Sequence, residues 1–95
     1  MKEFKYKGHD MKVIVSEYTQ NNNTFIGFED EEGELWYVTT NLGIKLPKGF
    51  GFIDTNNFLD AATIVPNEKI GRFTGQTAKS GFCTYPLYEF FLDKL

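Results

Sequence analysis

The sequence predicts an α+β domain: one twisted, mainly antiparallel sheet of five or six strands with a single short helix packed on one face. Three observations carry this expectation. Short β-rich runs recur between turn residues from Phe4 to Ile53, one helix-start signal stands at Asp54-Thr55-Asn56, and a long aromatic run, Thr84 to Leu92, closes the chain. At 95 residues the chain makes one domain, residues 1–95, and ten Phe, five Tyr and one Trp supply the core that so short a chain needs.

Taken in order, Phe4 and Tyr6 alternate with Glu3, Lys5 and Lys7, the period of a half-buried strand. Gly8-His9-Asp10 marks a turn, and Met11 to Tyr18 is a β-branched second strand that ends at Gln20-Asn21-Asn22-Asn23. Thr24 to Phe28 and Glu34 to Thr40 form the third and fourth strands around Glu31-Glu32-Gly33, so four strands with short links make a meander. Gly43, Pro47 and Gly49 break the pattern, which places a connection over 41–49 before a fifth strand at Phe50 to Ile53. The cap signal at Asp54-Thr55-Asn56 predicts a helix over 57–65, with Leu59, Ala62 and Ile64 toward the sheet and Pro66 ending it. Gly71 to Gly81 reads as a glycine-shaped loop, and Pro86 places the last strand near a sheet edge, because proline removes a ladder donor.

Charge is unevenly spread. Net charge is −3, yet five of the thirteen acids (Glu29, Asp30, Glu31, Glu32 and Glu34) fall in one six-residue window, and without them the remainder carries +2. A clustered basic stripe is missing, so direct nucleic-acid binding is not expected. The single cysteine, Cys83, excludes an internal disulfide and a multi-cysteine zinc site, and no apolar run follows Met1-Lys2-Glu3-Phe4-Lys5. The expectation is a cytoplasmic chain with no membrane segment.

Each chemical motif has a plain structural reading beside it. The acids at 29–34 present spaced negative charge of the kind that steers a basic partner, or else they solvate a hairpin turn. They lack the spacing of a calcium loop, and neither a metal nor a cofactor is expected. Gly75 to Gly81 contains a Lys79-Ser80 pair but no glycine directly before the lysine. It is a turn, or an anion nest in which Arg72, Gln76, Thr77, Lys79 and Ser80 hold a phosphate or nucleotide. Asp54-Thr55 lacks the following glycine and the second copy that an aspartic dyad needs, so a cap explains it better. Cys83 with His9 and an aspartate is the only nucleophilic set available, and nothing local supports it. Tyr85 and Tyr88 offer aromatic contact area to a partner, or clamp the last strand.

Asp54-Thr55-Asn56-Asn57, then Thr74-Gly75, then Ser80-Gly81-Phe82-Cys83 followed by Tyr85-Pro86-Leu87-Tyr88, together form a signature. It resembles a family of small uncharacterised proteins encoded on mobile elements and phages of gut Firmicutes and Bacteroidetes, over 41–95 best. The resemblance implies that genomic setting and no reaction. Two functions follow as expectations. The first is a non-enzymatic protein-interaction module whose acidic surface inhibits a host protein, such as a nucleic-acid-binding nuclease of a defence system. The second is a small-ligand module built on Gly71–Gly81.

Overall fold

The computed structural model describes residues 2–95 and contains eight strands, one α-helix and one short 3-10 turn. The first three strands, β1 (Glu3–Tyr6), β2 (His9–Glu17) and β3 (Thr24–Glu29), pair antiparallel with β4 (Leu35–Tyr37) in the order β1-β2-β3-β4. This is the predicted meander, except that the first turn is Lys7-Gly8, with His9 and Asp10, expected in it, already paired to Tyr6 and Lys5 in the β1–β2 ladder. A second four-stranded sheet follows, made of β5 (Thr39–Thr40), β6 (Phe50–Ile53), β7 (Gly71–Ser80) and β8 (Cys83–Phe90) in the order β5-β6-β8-β7.

The expectation of a single five- or six-stranded sheet is therefore corrected to two sheets of four, and the cause lies at Val38. Its N–H donates to Ile26 O at 3.1 Å in the first sheet, whereas its carbonyl accepts from Asp54 N at 2.9 Å beside the second. One continuous extended segment thus serves both sheets. Just beyond it the Thr39 hydroxyl accepts from Ile26 N at 3.1 Å, so a side chain replaces the backbone partner that β3 loses. Sequence pattern shows the strand but not this exchange of partners.

The core lies where the sheets and the helix meet. Met11, Val13, Ile26 and Phe28 from the first sheet, Val38 between the sheets, Ile53, Tyr88 and Phe90 from the second, and Ala61 and Val65 from the helix with Ile70 just after it form one buried cluster. The helix, α1, spans Ala61–Asn67 and starts four residues later than the cap signal indicates. Asp54 does cap, but it caps a separate turn: Oδ1 accepts from Asn57 N at 3.2 Å and Oδ2 from Asn57 Nδ2 at 2.9 Å. Shifting the helix changes its buried face to Ala61 and Val65, leaves Leu59 69% exposed, and puts Pro66 inside the last turn.

Gly71 to Ser80, expected as a loop, is strand β7, and only Gly81-Phe82 turn the hairpin into β8. Its register slips between Phe73↔Tyr88 and Thr77↔Pro86, with Gly75 at φ 88° in the bulge. The Thr74 hydroxyl fills the gap by donating to Leu87 O at 2.8 Å. Pro86 sits opposite Thr77 at the end of the bulge and one residue beyond the Phe52↔Leu87 pair with β6, so β8, central further on, is paired only with β7 there and the proline lies at an open edge of the ladder. Among the described residues no helix is long and apolar enough to cross a membrane.

Candidate functional site

The acidic turn between β3 and β4 is built from its own carboxylates. Asp30 is buried, with Oδ1 accepting from Glu32 N and Glu34 N, each at 2.9 Å, and Oδ2 from the Trp36 indole N–H at 3.2 Å. Burial pushes its pKa up, but these donors outweigh burial and hold it below the ordinary carboxylate value. Gly33, at φ 83°, lets the chain close, and Gly33 N donates to Asp30 O at 3.0 Å. The backbone here is set by Asp30.

Glu31 reaches across to β2. Its Oε1 meets His9 Nδ1 at 2.6 Å, and its Oε2 accepts from Asp10 N at 2.6 Å. The pair shifts both groups toward charge: the carboxylate raises the His9 pKa, and the imidazole, then the Asp10 N–H, lower that of Glu31. His9, Asp30 and Glu31 also bring one potential ligand atom each within 4.8 Å of one another. Each of those side chains is already bonded to protein donors or acceptors, so the trio is a clasp.

Around the clasp lies a concavity of about 550 Å³, lined by Glu3, Asp10, Glu29, Asp30 and Glu31 with Lys12 as the one base. The register places Glu3, Lys12 and Glu29 side by side across β1, β2 and β3. Glu32 and Glu34 are exposed on the turn itself. Of the five clustered acids, two hold the turn together and three, Glu29, Glu32 and Glu34, make no ion pair among the described residues.

A second cavity, of about 360 Å³, opens where the chain passes from β4 toward the second sheet, lined by Trp36, Tyr37, Asp54, Asn57 and Phe58. Trp36 is fixed by its bond to Asp30 and by ring contacts to Tyr6 at 5.7 Å (interplanar 89°) and Phe58 at 5.7 Å (interplanar 52°). Phe58 leans in turn on Phe28 at 6.0 Å and Tyr6 at 5.9 Å. The Tyr6 hydroxyl donates to Asp60 Oδ2 at 2.6 Å, which ties β1 to the segment before the helix. Sequence reasoning missed this cavity, because Trp36 and Tyr37 come from one segment and Asp54, Asn57 and Phe58 from another about 20 residues on.

Compared with known protein families, the chain matches Domain of unknown function (DUF4313) over residues 12–95. The chain belongs to the DUF4313 family. No curated protein and no solved structure gives a significant match. The DUF4313 match covers the acidic turn, the second cavity and all of the second sheet, while β1 and His9 precede it.

The remaining residues singled out by sequence fall elsewhere in this DUF4313 chain. Arg72 is bonded across the β7–β8 ladder to Glu89, with both Nε and Nη2 at 2.8 Å from Oε1. Gln76, Thr77, Lys79 and Ser80 are exposed along β7, where successive side chains alternate in direction and do not converge as a nest requires. Tyr88 is buried, its hydroxyl donating to Ala62 O at 3.1 Å, and works as a strand-to-helix clamp. Tyr85 is half-buried opposite Ala78. Cys83 is a free, partly covered thiol at the start of β8, in the sheet that does not contain His9.

Proposed function

We propose that this protein is a non-enzymatic protein-interaction module that presents a preorganised acidic surface to a basic groove. The observation that carries the reading is the division of labour in the turn. Asp30 and Glu31 fix the backbone and leave Glu29, Glu32 and Glu34 free, beside a concavity with five acids and one base. Charges held in place by the fold steer association and lose little freedom on binding, whereas a solvated turn needs no such clasp. The resemblance to proteins of mobile elements supports the finer proposal: the partner is a nucleic-acid-binding nuclease of a host defence system, whose DNA groove the carboxylates occupy.

The test is capture by the immobilised protein from the host extract, followed by elution with duplex DNA. A partner that binds through its DNA groove is released by DNA and is not captured by the triple variant Glu29→Lys, Glu32→Lys, Glu34→Lys. Retention of the partner by a folded triple variant overturns the proposal. The small-ligand reading at Gly71–Gly81 gains no support from the extended β7, and thermal-shift screening with phosphates and nucleotides tests it directly: a ligand at 100 times its Kd adds about 2.7 kcal/mol.

A further inference from the structure

The second cavity has a chemistry distinct from that of the acidic surface, and it points to a different ligand. Three aromatic side chains, Trp36, Tyr37 and Phe58, share its lining with the buried Asp54 and with Asn57. Among the described residues no lysine, arginine or histidine pairs with Asp54; its two oxygens receive only the backbone N–H and the side-chain amide of Asn57. The carboxylate is thus held rigidly, and no countercharge meets it.

We propose that this cavity binds an alkylated ammonium group, the cation seated against Trp36, Tyr37 and Phe58 and balanced by Asp54. Aromatic faces carry negative potential and attract cations most strongly when water is excluded, and a nearby carboxylate adds a Coulombic term. An alkylated ammonium fits better than a guanidinium for a geometric reason. Each Asp54 oxygen already accepts one bond from Asn57, which leaves less of the carboxylate for a guanidinium fork, whereas a quaternary ammonium needs charge and π faces and no acceptor at all. The volume suits a head group, standing at the small end of the roughly 300–1,000 Å³ range of ligand pockets. The wall is also ready-made, since Trp36 is pinned by Asp30 and Phe58 by Phe28 and Tyr6. Tyr37, 62% exposed, is the lining ring most open to solvent.

The chain's single tryptophan lines the cavity and reports on it. Tetramethylammonium chloride, titrated at constant ionic strength against sodium chloride, should change Trp36 fluorescence saturably in the millimolar range. The neutral isostere of choline, 3,3-dimethylbutanol, should not. Asp54→Asn should weaken the binding about tenfold, and Tyr37→Ala, at a ring that is 62% exposed, should weaken it severalfold. If Asp54→Asn fails to fold, the Tyr37 variant alone decides. Two further titrations separate the sources of the group: choline stands for a free metabolite, and a trimethyllysine peptide with its unmodified twin stands for a protein side chain. Saturable binding of either cation supports the proposal. An equal response to the neutral isostere, or no saturable response to tetramethylammonium, overturns it.

Discussion

Replacing Phe58 by alanine is the sharpest test of how the helical segment is seated. A fully buried Phe→Ala substitution costs roughly 3–5 kcal/mol. Phe58 is half-buried, which lowers the transfer part, but it touches three rings, Phe28, Trp36 and Tyr6, at 6.0, 5.7 and 5.9 Å. Aromatic pairs add about 0.5–1.5 kcal/mol each beyond area burial, so about 3 kcal/mol is the expected loss. For a domain of this size, where 1 kcal/mol moves Tm by about 4–8 °C, Tm should fall by about 12–24 °C. The neighbouring Leu59→Ala is the control. At 69% exposure it should stay within about 0.5 kcal/mol of the parent. Thermal unfolding followed by circular dichroism measures both, and Trp36 fluorescence reports the same transition from beside the ring. A larger loss for Leu59 than for Phe58 refutes the reasoning, because it would place the helix where the Asp54 cap signal alone puts it.

The His9–Glu31 clasp should be strongest between about pH 4.5 and 6.5, the ordinary values of its two groups. Its stabilisation through His9 is complete below pH 6.5 and fades as pH rises through the raised folded value, while that through Glu31 is complete above pH 4.5 and fades as pH falls through the lowered one. An NMR titration should find the His9 imidazole above its ordinary value, and Glu31→Gln should bring it back; an unshifted histidine in the parent removes the clasp. Gly71→Ala should destabilise more than Gly75→Ala, because its methyl would stand 2.6 Å from Glu89 O, whereas Gly75 at φ 88° has open space and meets only the backbone cost of about 1–2 kcal/mol. The reverse order in urea unfolding would remove the close approach of β7 to β8. Tyr88→Phe should lose about 1 kcal/mol with its bond to Ala62 O, and an unchanged melting midpoint would show that this clamp contributes nothing.

Local pattern was enough for the meander. Alternation at Phe4 and Tyr6, β-branched enrichment at Val13-Ile14-Val15, and turn chemistry at Asn21-Asn22-Asn23 and Gly33 each act within a few residues, and each appears in its expected place. What pattern left open depends on partners distant in sequence. Val38 looks like any strand residue until its two hydrogen bonds are seen to face different sheets. The Asp54 cap is real, but a carboxylate that caps an isolated turn carries the same sequence signal as one that starts a helix. Gly75 suggested a loop because glycine marks both loops and bulges, and Thr74 decides for the bulge only through its bond to Leu87. At the acidic turn, the clustered charge was plain in the sequence. Its division into holding and free carboxylates depended on His9 and Trp36, 22 residues away from Glu31 and 6 from Asp30.

Those two rings also explain why acids gather at this turn instead of being spread over the surface. Five carboxylates in six residues repel one another, and an exposed loop would relax by separating them. Here the imidazole bonds one carboxylate and offsets its charge when protonated, and two backbone N–H groups with an indole N–H take up another, so the like charges are held together. The same indole forms the wall of the aromatic cavity and lies 6.1 Å from the His9 ring. Trp36 therefore links the acidic turn to the cavity, and a substitution at Asp30 should disturb the aromatic wall as well as the turn. Asp30→Ala ought to move the Trp36 emission spectrum even with Glu29, Glu32 and Glu34 intact, whereas a spectrum identical to that of the parent would mean that the turn and the cavity are independent.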